Sequence, residues 1–232
     1  MKKFVLLALL VISILPVYSQ TYVGVIAGYN AATRYPRPNS SPGTTDYSIK
    51  SAWRAGLIAD HHLWRKFYLQ PQLLLNNKGE KYKYNGEISG ITYATRGNTR
   101  LMFLELQANF IFKQQWGNGN FFAGAGPYLG RGINGKHKYE FYRFSTPETY
   151  ASWSTSPVRY RRKADANNPI VYYQKPYDAG VSFQVGYEFK NGLFFNAVYS
   201  RGLTYQGYNP TGDKPKNAYW GVSMGYFLKK FS

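Results

Sequence analysis

Three histidines, His61, His62 and His137, are the only imidazoles of the chain, and there is no cysteine. His137 lies near Glu140, Ser145 and Glu148 in a segment that reads as a long loop, and His61 and His62 in a short turn. A hydrolase or acyltransferase of the Ser–His–acid type needs the imidazole within hydrogen-bond reach of the hydroxyl, with an acid or amide to orient it. One histidine in a segment that reads as a long loop does not meet that requirement. No His/Cys spacing suits a metal ion. "GAGPYLG" (Gly124 to Gly130) has the glycine density of a phosphate loop, but no Gly-Lys-Ser/Thr follows and it lies inside a strand-like segment. Small residues there relieve crowding or mark a bulge. No catalytic, cofactor-binding or metal-binding residue is assigned, and the chain reads as non-enzymatic.

Charge is the stronger chemical signal. Lys and Arg number 29 against 11 Asp and Glu, a net charge of +18 over 232 residues. Much of the excess falls on segments that read as loops: Arg34, Arg37, Lys78, Lys81, Lys83, Lys136, Lys138, Arg143 and the run Arg159, Arg161, Arg162, Lys163. Such a surface suits phosphate and carboxylate groups of an anionic membrane face. Plain solvated loop charge is the other reading, and both stay open. Candidate contacts to an anionic partner are Lys136, Lys138, Arg143, Arg159, Arg161, Arg162 and Lys163.

The elements that carry these residues alternate strictly. In "GVSFQVGYEFKNGLFFNAVYS" (Gly180 to Ser200), Val181, Phe183, Val185, Tyr187 and Phe189 take every second place, with Ser182, Gln184, Gly186 and Glu188 between them. Period two is the mark of a strand with one apolar and one polar face. Asn191-Gly192 is a tight-hairpin signal. Eight segments read this way: 22–29, 51–60, 67–77, 100–112, 120–131, the two arms of the 180–200 hairpin, and 218–229. The links between them alternate in length. Long ones at 30–50, 78–99, 132–177 and 206–217 are separated by short ones at 61–66, 113–119 and 190–192.

Short turns at one end and long loops at the other are the pattern of an outer-membrane barrel. The expected fold is all-β: an eight-stranded antiparallel up-and-down transmembrane β-barrel with short periplasmic turns and long external loops. Its lumen receives the polar face, namely Arg54, Gln70, Gln72, Glu105, Gln107, Asn109, Ser182, Gln184, Glu188 and Asn196. Arg54 and Glu105 are expected to pair across it. Aromatic rings gather near strand ends, as belts at the headgroup level do. Trp64, Phe67, Trp116, Phe121, Phe189 and Phe194 lie near the short turns, and Tyr29, Trp53, Tyr205 and Trp220 near the long loops.

The N-terminus stands apart. Lys2 and Lys3 precede an apolar run from Phe4 to Leu15, and Val17-Tyr18-Ser19 closes it. Residues 1–19 therefore read as a secretory signal peptide, with 20–232 as the barrel. The run is too short to cross a bilayer as a helix. Removing Lys2 and Lys3 leaves +16. Export takes the chain away from nucleic acid, the common partner of so basic a protein.

Several stretches resemble a small outer-membrane β-barrel family of Bacteroidetes, often labelled PorT-like. They are "FYLQPQLLLNNKG" (67–79), "LELQ" (104–107), "FFAGAGPYLG" (121–130), "VGYEF" (185–189) and "VYSRGL" (198–203). The family usually has proline where Gln107 stands. The resemblance implies the barrel fold, placement in the cell outer membrane and no particular activity.

Function follows in outline. The first reading is a structural or surface-interaction barrel. Its partners are outer-membrane lipid and lipopolysaccharide, the barrel-assembly machinery during biogenesis, and a surface or secretion-system protein. A narrow channel or small-solute porin is the alternative. A role as accessory in secretion or gliding rests on family analogy. No cofactor is expected.

Overall fold

The computed structural model describes residues 21–35, 43–145, 148–163, 171–208 and 215–231. The expected signal peptide lies outside them. Among these residues there are eleven strands: β1 (Thr21–Tyr35), β2 (Thr44–Ser48), β3 (Lys50–Trp64), β4 (Phe67–Ile88), β5 (Ile91–Trp116), β6 (Gly119–Phe144), β7 (Thr149–Tyr160), β8 (Tyr172–Gln174), β9 (Tyr177–Phe189), β10 (Leu193–Gly202) and β11 (Lys216–Phe231).

Eight of them close a ring through antiparallel pairs, β1–β3–β4–β5–β6–β9–β10–β11 and back to β1. Closure leaves no open edge within the ring, so every ring strand has a hydrogen-bonded neighbour on both sides. The ring's short turns, at Arg65–Lys66, Gly117–Asn118 and Lys190–Gly192, share one end with the first and last ring residues, Thr21 and Phe231.

At the other end the structure departs from expectation. Segment 78–99 is not a loop. β4 and β5 continue as a paired ladder from Lys78↔Leu101 to Ile88↔Ile91, closed by Ser89–Gly90. Both turn residues have positive φ (52° and 74°), the conformation of a tight two-residue hairpin turn. Segment 132–177 is likewise mostly strand: β6 runs on to Phe144, β7 folds back on it, and β8 pairs parallel with β7. β2 adds to the outer half of β4. The extended hairpins thus form a sheet standing beyond the ring. Their alternation is of tyrosine with lysine ("KYKYN", 81–85) rather than of apolar with polar residues, so hydropathy hides it.

One irregularity marks the boundary between ring and extension. Met102 pairs with Asn134 and Phe103 with Gly132, which leaves Ile133 as an extra residue on β6. This β-bulge reverses which of the following side chains face inward. Before it Tyr128 faces in; beyond it His137 does, and Lys136 and Lys138 turn outward.

The outer face of the ring is apolar. Leu73, Leu104, Leu106, Phe110, Phe183, Val185, Trp220, Val222 and Met224 are all exposed. On β5 this band runs from Phe112 to Met102. Ten residue steps at about 3.4 Å, tilted by about 40°, rise about 26 Å, close to the ~25 Å apolar band of membrane barrels.

Candidate functional site

The interior is where side chains converge. Arg54, Gln70, Gln72, Glu105 and Gln107 are each at most 2% exposed, and Asn109, Ser182, Gln184 and Asn196 are buried beside them. Glu188 points in near the short turns, with its side chain 18% exposed. The expected Arg54–Glu105 pair is absent. Arg54 instead donates to Ser223 Oγ (2.8 Å) and Asn196 Oδ1 (3.4 Å). Glu105 takes a different cation, Lys78, at 2.5 Å. Sequence placed Lys78 in a loop; it is 1% exposed and central.

Two ammonium groups organise the lumen in the same way. In the half nearer the extension, Lys78 lies between Glu105 (2.5 Å) and Asp178 (3.0 Å), 4.1 Å from the Tyr128 ring centre. Near the short turns, Lys113 lies between Asp60 (2.7 Å) and Glu188 (2.5 Å), 4.5 Å from the Tyr68 ring centre. A buried ion pair holds only when its remaining lone pairs are satisfied. Here Asn76 and Gln107 donate to Glu105, while Asn217, Gln206, Thr204 and Tyr128 donate to Asp178. Between the two centres an amide chain runs across the barrel. Asn196 donates to Gln184 (2.8 Å), Gln184 to Gln70 (2.7 Å) and Gln70 to Asp60 (3.2 Å).

The lumen is not wholly polar. Ile26, Ile58, Leu74, Ile111, Phe122, Phe194 and Phe227 form one buried cluster inside the ring. Phe194, expected in the outer belt, belongs to it at 1% exposure. The reason is parity: it shares a face with Asn196, whereas Phe195 points out. Of the other belt residues, Tyr29, Trp53, Trp64, Trp116, Phe121, Phe189, Tyr205 and Trp220 are exposed, and Phe67 is half-buried. Glycines make room for the filling. A Cβ on Gly124 would lie 2.2 Å from the Phe110 carbonyl oxygen and 2.5 Å from Ile111 Cδ1, so no side chain fits at that point of β6.

Arg34 is a second loop cation that proves to be internal, 3.0 Å from Glu80 Oε1 and 2.5 Å from Gln174 Oε1. His137 does not approach Ser145. It stacks on Tyr172 (4.1 Å) and meets Thr99 Oγ1 at 2.9 Å, and burial lowers its pKa. His61 meets Thr21, and His62 packs edge-on to Tyr68 near the short turns. Among the described residues no group of acids and histidines could hold a metal ion.

The candidate anionic-partner residues all lie on the extension. Lys136, Lys138 and Arg143 are on β6, Arg159 is on β7, and Arg161, Arg162 and Lys163 directly follow it. The structure does not gather them into one group.

No curated protein matches the chain. It is similar to the crystal structure of Ail, the attachment invasion locus protein of Yersinia pestis, solved with the heparin analogue sucrose octasulfate. That match has 9% identity and a TM-score of 0.34, covering 92% of this chain and 99% of that one. Neisserial surface protein A matches at 12% identity and a TM-score of 0.32, covering 90% and 97%. OccK5 of Pseudomonas aeruginosa matches at 8% identity and a TM-score of 0.15, covering 91% and 98%. The family model described as outer membrane protein beta-barrel domain matches residues 18–205. That match spans most of the sequence and seven of the eight ring strands, all but β11, so the chain belongs to the outer membrane protein beta-barrel domain family.

Proposed function

We propose that this protein is a non-enzymatic, up-and-down barrel of the outer membrane, closed to solutes, whose extended hairpins stand outside the cell as an interaction surface. In this reading the short turns face the periplasm, and the basic hairpins meet lipopolysaccharide or a surface protein. The barrel-assembly machinery acts only during biogenesis. The observation that carries it is the filled lumen: both lysine centres and the apolar cluster lie on the path a solute would take. An eight-stranded interior is just wide enough for side chains. A narrow channel is the second reading, favoured by the predominantly polar lining. An accessory role in secretion or gliding has only the family resemblance behind it.

Planar-bilayer recording on the purified protein separates the first two readings. Little or no steady conductance is expected, with at most a small leak in Glu105→Ala. Large, stable openings from the wild-type monomer would replace the closed barrel with the channel.

A further inference from the structure

We infer that the base of the extended hairpins holds a phosphate-binding cradle, formed by Lys50, Lys81, Arg100, Lys136 and Lys138, which takes a phosphorylated headgroup of the surrounding outer-leaflet glycolipid. The inference rests on the proposed orientation, with the hairpins external.

The register places these residues. Lys81, Asn98 and Lys138 are directly opposite one another across β4, β5 and β6, and in the next row inward Gly79, Arg100 and Lys136 are opposite. Directly opposed side chains on one face have Cβ atoms about 4.5–5.5 Å apart, so the like charges of Arg100 and Lys136 repel, while Lys81 and Lys138 flank the neutral Asn98 from either side. The bulge at Ile133 is what turns Lys136 and Lys138 to this face. Lys50 enters from β3. Its stem passes Gly79, where an added Cβ would lie 3.3 Å from Lys50 Cδ, and its ammonium donates to Asn98 Oδ1. Gly79 has φ +140°, so its lack of a side chain serves both the backbone and the passage of the lysine.

The acids are elsewhere. Among the described residues none of these five cations is in an ion pair. The nearest carboxylates serve the next row out: Asp46 is opposite Lys83, and Glu140 is 3.9 Å from Arg96. Glu80 is turned inward to Arg34. Lys50 is only 3% exposed and has a neutral amide for its partner. A buried cation without an anion is costly. Burial, with Arg100, Lys81 and Lys138 adding to it, lowers the Lys50 ammonium to about 8. A phosphate dianion at Asn98 would offset part of this positive charge and supply the missing acceptors.

Height selects the lipid as its source. Arg100 is the next outward residue after Met102, where the apolar band of β5 ends. The cradle therefore starts one row above the hydrocarbon level, where phosphates of the leaflet lie and a nearby cation gains from them.

The test is binding of purified lipopolysaccharide to the mature protein in detergent. Parallel arms use the same lipopolysaccharide stripped of phosphate, and inorganic phosphate as competitor. The variant Lys81→Gln/Arg100→Gln/Lys138→Gln is expected to weaken binding by about five-fold per cation, roughly a hundred-fold in all. The same loss is expected on removing phosphate from the lipid, with little competition from millimolar inorganic phosphate. Arg159→Gln/Arg161→Gln/Arg162→Gln is expected to bind within two- to three-fold of wild type, since the phosphates lie at the base. Should the first variant fold poorly, Lys138→Gln alone, at an exposed position, is expected to lose about five-fold. If only the Arg159–Arg162 variant loses binding, the cradle is overturned and the interaction surface stands. If inorganic phosphate competes as well as the lipid, the lipid assignment is overturned. If the wild type binds no lipopolysaccharide, the cradle is overturned too, and the lipopolysaccharide part of the proposed function goes with it.

Discussion

Inside the ring Lys78 and Lys113 are each held between two carboxylates, while the five cations at the base of the hairpins pair with none among the described residues. The chain has 11 acids in all, and Asp60, Glu80, Glu105, Asp178 and Glu188 point into the interior. The difference teaches how a protein of +18 can be nearly neutral where it is packed and strongly basic where it meets its surroundings. Low dielectric inside makes an unmatched charge costly, whereas outside water and salt screen it; Arg54, which donates only to Ser223 and Asn196, is the interior exception. Five of the 11 acids serve the interior, and the extension is left with an excess of cations.

The sharpest way to break this contrast is Lys78→Met. It strands Glu105 and Asp178, both fully buried, and removing one partner of a buried pair costs about 3–5 kcal/mol. Urea unfolding in detergent should show that loss, or the barrel should fail to assemble. Lys138→Met, on the exposed face, should change stability by less than about 0.5 kcal/mol. Equal effects would erase the distinction between the two regions.

A second test compares the two faces of β9. Val185→Arg places a charge on the exposed apolar band and should cost about 2–4 kcal/mol. Gln184→Ala removes the bonds to Gln70 and Asn196 and should cost about 1–3 kcal/mol, since partners are left buried. Gln184→Arg is not the mild change that a roomy lumen would allow, because Gln184 is 3% exposed and bonded on both sides. Heat-modifiable mobility on gels reports assembly for all three.

The smallest effect is a pH slope. Lys50 at about 8 lies below the ordinary lysine value of 10.5. Between those values the unfolded chain holds the proton and the folded chain has released it, so stability rises with pH from about 8 to about 10.5. Below that window both states are charged and the contribution is constant. Lys50→Met should flatten the slope relative to wild type; an unchanged slope would show that Lys50 does not feel its neighbours.

Much of the ring was legible because period two carries both faces at once. Val181 to Phe189 and Trp220 to Leu228 could be assigned outward, and Glu105, Gln107 and Asn109 inward, from alternation alone. Phe194 lies near a turn, where a belt is expected, but counting two residues back from Asn196 puts it inside. Asp60, Lys113 and Asp178 continue the inward faces of their strands and could have been found by the same count. Lys78 could not be matched to Asp178 from sequence, since the partners are 100 residues apart and only ring closure brings them together. The extended hairpins were missed because hydropathy is silent where lysine alternates with tyrosine.

The extra residue at Ile133 acts as a phase shift written into one strand. Everything on β6 beyond it is read in the opposite frame, so the same local sequence presents lysines outward and His137 inward. Deleting that single residue would exchange the two sets. The hairpin would then drive Lys136 and Lys138 toward Tyr172 and expose the histidine, with no codon changed among the residues that moved. An insertion or deletion at this point is therefore a switch of surface chemistry that leaves the membrane-embedded ladder untouched, and a route by which barrels of this kind can change what they touch without changing how they are held.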